Sequence, residues 1–389
     1  MATASPIGFD QPLRFAFSSA DAFRDRSRED LLRLKAHSPD GRVNILVLSG
    51  GGAGGAFGAG ALIGWTRSGK RPTFQMVTGV SVGALIAPFA FLGPEWDATL
   101  EQALSGDSGA DLLERHLFGA LFGSSMYSGK PLRDLVERFA TDEMIAAVAR
   151  ESLAGRWLLV ETTDLDKGEP VIWDMGAIAQ RGDEVGRKLF RDVLVASASI
   201  PFVFPPVMVK VTQNGQTHEE MHVDGGTTFQ LFLGPPVAAL VTKDAPKIDG
   251  ISVYVIANTQ LGPFPTPTPP KALSVLASGF NTNLAAGVRS ALSIAYDVAE
   301  AYGMRFQVTS IPDGYSYGGS LDFDRVHVRA LFDFAAHCAE AGHLWNSLGD
   351  NYRRAMSAHA PGSGGSTECP AGSERQFAQL KSVRAMQPD

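Results

Sequence analysis

Cysteine is almost missing from the 389-residue sequence, which has two, Cys338 and Cys369. That supply is too small for a disulfide framework and fits a reducing compartment. An excess of basic residues is missing too: 34 Lys and Arg face 41 Asp and Glu, a formal net charge of −7. Neutralising phosphates takes a basic surface, so nucleic acid is excluded as a partner and strong electrostatic docking on anionic lipid is disfavoured. The amino-terminal stretch MATASPIGFDQPLRF has neither a basic region nor an unbroken apolar run, so no Sec-type signal peptide is expected. Two charge-free windows, residues 43–66 and 72–94, approach the length of a membrane span, yet each has turn-forming glycine in its middle and divides into strand plus helix. The expectation is a cytoplasmic protein without a transmembrane helix, touching a membrane surface at most transiently. No internal repeat is visible, and no protein partner is expected.

Glycine, in contrast, is plentiful, with 42 residues in a chain that is 44% hydrophobic. It concentrates where the chain is most apolar. Val43 to Leu48 reads as a buried parallel strand, followed by Ser49 and then Gly50, Gly51, Gly52, Ala53, Gly54 and Gly55, with a helical run from Ala56 to Trp65. Phe74 to Thr78 reads as a second strand and runs into Gly79-Val80-Ser81-Val82-Gly83 and a second apolar helix. One unit offers unhindered backbone N–H groups at a helix start, and the other offers a serine on a sharp turn. A nucleophile beside an oxyanion hole is assembled in this way. Gly at both sides of Ser81 lets a strained elbow expose the hydroxyl, and Gly in the first loop lets peptide amides approach a developing charge.

Three other motifs fail on their chemistry. Gly50 to Gly55 fits G-x-G-x-x-G after a strand, but a dinucleotide site also needs an acid about 20 residues later for the ribose. The sequence holds no Asp or Glu between Asp40 and Glu95. Gly64 to Arg71 resembles a phosphate loop with Arg71 where a hydroxyl must hold Mg²⁺. His218-Glu219-Glu220-Met221-His222 matches the H-E-x-x-H of zinc hydrolases, yet it follows Asn214-Gly215 in the second arm of a hairpin. Four strand residues separate the two imidazoles by about 13 Å, too far for one ion. No metal and no cofactor is expected.

A general base is still required. Of the later histidines, His327, His337, His343 and His359 fall in or beside a predicted C-terminal helix over about 325–357, not in strand-end loops. Asp224 ends a strand and precedes Gly225 and Gly226, which let a carboxylate approach a neighbouring loop; the other reading is an ordinary Asp-Gly turn. Further strands are expected at 157–163, 170–173, 208–212, 218–223, 251–257 and 305–311, with helical cover over 95–150 and 271–304. Phe118, Phe122 and Met126 are candidates for an acyl channel.

Taken together, Ser49 to Ala53, Gly79 to Gly83 and Asp224-Gly225-Gly226 resemble the patatin-like phospholipase family, in its motif order. The segments Glu161 to Asp166 and Ala196 to Pro201, with Phe204 to Val207, add to the likeness, which covers about residues 43–311. The resemblance implies a three-layer α/β/α fold with a mostly parallel central sheet, and a lipid acyl hydrolase of the phospholipase A or lysophospholipase type. It also implies a catalytic dyad of Ser81 and Asp224 without histidine. Gly51 and Gly52 would donate to the oxyanion, with Gly50 and Ala53 shaping the loop. An aspartate of ordinary pKa is a weak base, so its effectiveness must come from positioning and desolvation, and activity should persist into mildly acidic pH. A departure stands at Gly54, where the family usually carries Arg or Lys; if that cation serves the oxyanion loop or phosphate recognition, the preference for phospholipid falls into doubt and a neutral ester or glycolipid gains ground. The organisation expected is an extension at 1–40, a catalytic domain at 41–311, helical cover at 312–360 and a low-complexity tail at 361–389. The rivals are a dinucleotide-dependent oxidoreductase and a catalytically silent lipid-binding member of the same fold.

Overall fold

The computed structural model describes residues 4–9, 13–16, 32–38, 40–106, 128–233, 249–262, 267–347 and 368–370. Two short strands, β1 (Ser5–Pro6) and β2 (Arg14–Ala16), precede β3 (Val43–Leu48), α1 (Gly55–Arg67), β4 (Met76–Val80) and α2 (Val82–Leu92). Three cover helices follow: α3 (Asp97–Leu104), α4 (Lys130–Phe139) and α5 (Asp142–Leu153). Next come β5 (Trp157–Asp164), β6 (Glu169–Asp174), α6 (Met175–Gln180), α7 (Glu184–Ser197) and the hairpin β7 (Val207–Gln213) and β8 (Gln216–Asp224). The last elements are β9 (Ile251–Gln260), α8 (Ala272–Ala301), β10 (Arg305–Ile311), α9 (Arg325–Glu340) and β11 (Asn346–Ser347).

All strands join one sheet in the order β1-β7-β8-β5-β4-β3-β9-β10-β11, with β6 also on β5 and β2 on β6. Its centre, β5-β4-β3-β9-β10, is parallel. The margins are antiparallel. Along β3 the apolar run splits by parity: Leu46 and Leu48 belong to one core, Val43, Ile45 and Val47 to the other. Both faces are therefore covered, which is why the strand reads as continuous hydrophobicity rather than alternation. Helices α1 to α7 and α9 supply the first core, and α8 supplies the second through Leu284, Val288, Leu292 and Ala295. The result is a three-layer α/β/α architecture.

One departure from expectation has a local cause. The helix expected to run toward residue 357 ends at Glu340, because Gly342 takes φ 81°. His343 N–H then bonds Cys338 O and Gly342 N–H bonds Ala339 O, a Schellman termination. Residues 348–357, and with them Phe118, Phe122 and Met126, lie outside the described residues.

The reading of the low cysteine content as a sign of a reducing compartment is corrected. Cys338 and Cys369 form a disulfide with Cα atoms 5.4 Å apart, and the tail segment at 368–370 is held against α9. A separation of 31 residues carried no signal for this bond, and the argument for a reducing compartment from cysteine content falls with it. Closing a loop of that length restricts the unfolded chain by about 3–4 kcal/mol. Cys338→Ser, or reductant, should therefore lower the unfolding free energy in urea titrations by about that amount; an unchanged midpoint would count against the bond.

The hairpin and the N-terminal strands meet in a buried ion-pair network. Arg14 and Lys167 both bond Glu220, and Lys167 Nζ also lies 2.8 Å from Asp164 Oδ2. Burial pushes the Glu220 carboxyl up, but hydrogen bonds with His222, Arg14 and Lys167 outweigh it and hold it well below the usual range. His222 is fully buried against Trp173 with Nδ1 2.9 Å from Thr162 Oγ1, whereas His218 faces solvent. The H-E-x-x-H letters thus sit on a strand. Asp164, Glu220 and His222 do cluster as possible metal donors, but an ammonium already bridges the two carboxylates.

Candidate functional site

Strand β5 acts as a ruler for the site. On one edge it pairs with β4 up to Val80 opposite Glu161, and then with β8, whose Asp224 lies opposite Thr162. Glu161 and Thr162 are consecutive, so the end of β4 abuts the end of β8 and brings together residues 143 apart in sequence. The next residue after Val80 is Ser81. Parallel β3 ends beside β4, Leu48 opposite Gly79, so the glycine loop leaves the sheet at the same edge.

Ser81 occupies φ 56° and ψ −127°, a strained conformation for a residue with a Cβ, directly before α2. A Cβ on Gly79 would stand 2.5 Å from Gly83 O, and one on Gly83 would stand 2.5 Å from Leu48 O. Both flanking positions must therefore be glycine. Ser81 N–H donates to Ser197 Oγ at 3.0 Å, and Ser197 Oγ donates to Glu161 O at 2.6 Å. The turn is thereby anchored to β5 through the end of α7.

Ser81 Oγ donates to Asp224 Oδ2 at 2.5 Å. The other carboxylate oxygen accepts Gly226 N–H at 2.7 Å, and Asp224 N–H donates to Ser199 O at 2.9 Å. Both side chains are nearly enclosed, 5% exposed for Ser81 and 3% for Asp224. Burial pushes the Asp224 carboxyl up to about 7, against hydrogen bonds from Ser81 and the Gly226 amide that favour the charged form. The expectation of an ordinary carboxyl is revised accordingly: this one ionises closer to neutrality. A neighbouring carboxyl, Glu161, is fully enclosed; burial drives it well above the usual range, Thr228 Oγ1 donates to it at 3.1 Å, and its Oε2 has no partner.

The glycine loop is clamped from behind. Ser49 Oγ and O accept from Asn258, Gly50 N–H donates to Gln230 O at 3.1 Å, and Ala53 N–H donates to Ser320 O at 2.8 Å. Gly54 N–H is turned to Gly51 O at 3.0 Å. The amides of Gly51 and Gly52 have no acceptor among the described residues, so of the four loop residues these two have free donors. Gly50 and Ala53 have theirs engaged and shape the loop. Gly54 has no room for the cation usual at its position: a Cβ there would stand 2.0 Å from Asn258 O and 2.8 Å from the Tyr317 hydroxyl. Tyr317 instead donates to Gly51 O at 3.3 Å.

Sequence reasoning missed Ser197, Gln230, Asn258, Tyr317 and Ser320. Ser197 lay inside a segment that had been singled out. The others act through backbone atoms or from remote loops and left no local pattern. Three candidate histidines stand apart: His327 is exposed against Asp322, and His337 and His343 lie on and beyond α9, while His359 lies outside the described residues. Ser81, Gly52 and Ala53 open together into an apolar cavity of about 60 Å³.

No curated protein matches the chain. Among solved structures, VipD from Legionella pneumophila aligns with a TM-score of 0.34 and 10% identity, over 88% of this chain and 74% of that one. The family model for patatin-like phospholipase matches residues 46–238, a span that begins inside β3 and includes the serine turn and Asp224-Gly225-Gly226. Over those residues the chain is similar to the patatin-like phospholipase family.

Proposed function

We propose that the protein is a serine esterase acting on lipid acyl esters, with Ser81 as nucleophile, Asp224 as general base and the amides of Gly51 and Gly52 as oxyanion donors. The observation that carries this reading is the 2.5 Å hydrogen bond from Ser81 Oγ to Asp224 Oδ2 at the floor of an apolar cavity. Ser81 Oγ attacks the ester carbonyl carbon while its proton passes to Asp224. The carbonyl oxygen becomes the oxyanion under the two free amides, where each such donor is worth about 3 kcal/mol. Collapse breaks the ester bond, and the leaving alcohol takes the proton from Asp224. Water then enters, gives its proton to Asp224 and attacks the acyl-serine; the fatty acid departs as Ser81 regains the proton. The position of Asp224 and the basicity that burial gives its carboxyl together make this effective.

The catalytic unit in this reading spans 41–311, with the loop at 317–320 supporting the glycine loop from outside it. Exposed Phe202 and Phe229, 66% and 39% accessible, flank the segments carrying Ile200 and Asp224 and suit brief contact with a lipid surface. With Gly54 in place of a cation, a neutral ester or glycolipid is favoured as substrate over a phospholipid. Incubating the purified chain with monoacylglycerol, galactolipid, lysophosphatidylcholine and phosphatidylcholine, and measuring released fatty acid, should give faster release from the first two. Absence of release from every lipid would overturn the reading.

A further inference from the structure

The cavity at Ser81 does not end the apolar space. A second cavity of about 20 Å³ continues from it and shares Leu85, Ala103, Leu104 and Leu135 as a common wall. Helix α2 runs along both, contributing Val82 and Leu85 to the first and Pro88 and Phe89 to the second. Phe139, Met144 and Leu194 line the second cavity alone. Among the described residues no charged, amide or imidazole side chain lines either space, and Ser81 carries the sole hydroxyl. Away from Ser81 and the Gly52 amide, water in such a space finds no partners, so the occupant it suits is hydrocarbon.

We propose that the two cavities in series seat one unbranched acyl chain of medium length, and that the junction of Leu85, Ala103 and Leu135 measures it. This inference rests on the serine esterase reading and adds a chain-length specificity to it. Eight helical residues from Ser81 to Phe89 rise about 12 Å. Carbon–carbon bonds of about 1.5 Å at tetrahedral angles advance about 1.25 Å each, so about ten carbons span that distance. The first cavity alone, from Ser81 to Leu85, takes about half as many. Each methylene buried along the way should raise kcat/KM about fourfold. The gain stops at the end of the second cavity, which Phe139 and Met144 line.

The test is hydrolysis of a p-nitrophenyl ester series, from acetate to palmitate, by the full chain, with Ser81→Ala as the control. The Ser81-dependent kcat/KM should climb to a maximum near decanoate and fall beyond laurate. Ala103→Leu, which fills the junction, should lower the decanoate-to-butyrate ratio at least about tenfold, the loss of two or more buried methylenes. Met144→Ala, which lengthens the second cavity at its end, should move the maximum to a longer chain; should that variant not fold, the Ala103→Leu ratio decides alone. Ser81-dependent hydrolysis with a flat profile, or a ratio unmoved by Ala103→Leu, would overturn the length-measuring role while leaving the esterase reading intact. No Ser81-dependent hydrolysis at any chain length would instead overturn the esterase reading beneath it.

Discussion

Ser81→Ala is expected to lower ester turnover by about 10⁴-fold or more, because the oxyanion donors alone cannot supply a nucleophile. The fold should survive. Alanine keeps the Cβ that already tolerates φ 56°, and the backbone bond from residue 81 to Ser197 does not involve the lost hydroxyl. The substitution does remove the hydrogen bond that favours ionised Asp224, so the carboxyl should titrate still higher. Thermal unfolding and ester turnover measured on the same preparation separate these effects. Lost turnover with a retained melting transition is the expected pair; turnover within tenfold of the parent would remove Ser81 from the chemistry.

Asp224→Asn should cost about 10³-fold or more in kcat/KM, since the amide donates to Ser81 where the carboxylate accepts from it. The proposed mechanism needs the carboxylate form. With its carboxyl at about 7, kcat/KM should rise with pH, tenfold per unit below pH 6, and level off above pH 8. Stability runs the other way. The folded value lies above the ordinary 3.8, so between those two values the native state holds a proton that the unfolded chain has released. Stability present at low pH is thus lost as pH rises toward 7, by about 4 kcal/mol in all. The Asn variant lacks that loss and should melt higher than the parent at pH 8, though less active. An acid limb near 7 would also suit a histidine, so the limb must vanish in Asp224→Asn to assign it. The temperature dependence of the limb adds a check, since a carboxyl ionises with little enthalpy and an imidazole with much.

Much of this site was legible before any coordinates because buried parallel strands announce themselves. Val43 to Leu48 was bounded correctly, and the hairpin around Asn214-Gly215 follows from backbone angles that few residues adopt, φ 52° and 78°. The serine turn was visible for the same reason, as glycines placed where a Cβ would meet a carbonyl. The pairing of Ser81 with Asp224 was a different matter. It depends on β5 changing partner from β4 to β8 between Glu161 and Thr162, a register event that composition does not encode. The basicity of Asp224 was hidden too, because burial is a property of the assembled loops. Ser320 and Gln230 hold the glycine loop through their carbonyl oxygens, which every residue possesses. The strands before residue 41 escaped notice because two or three residues carry no periodicity; the buried Arg14 on β2 gains its meaning from Glu220, 206 positions away.

The claim on which the rest depends is that one proton passes between Ser81 and Asp224. Fluorophosphonate modification followed by peptide mass mapping tests it most directly. The adduct should fall on the peptide containing Ser81, at a rate that rises with pH through about 7, and should form at least about 100-fold more slowly in Asp224→Asn. Equal labelling of Asp224→Asn, or an adduct that persists in Ser81→Ala, would contradict it.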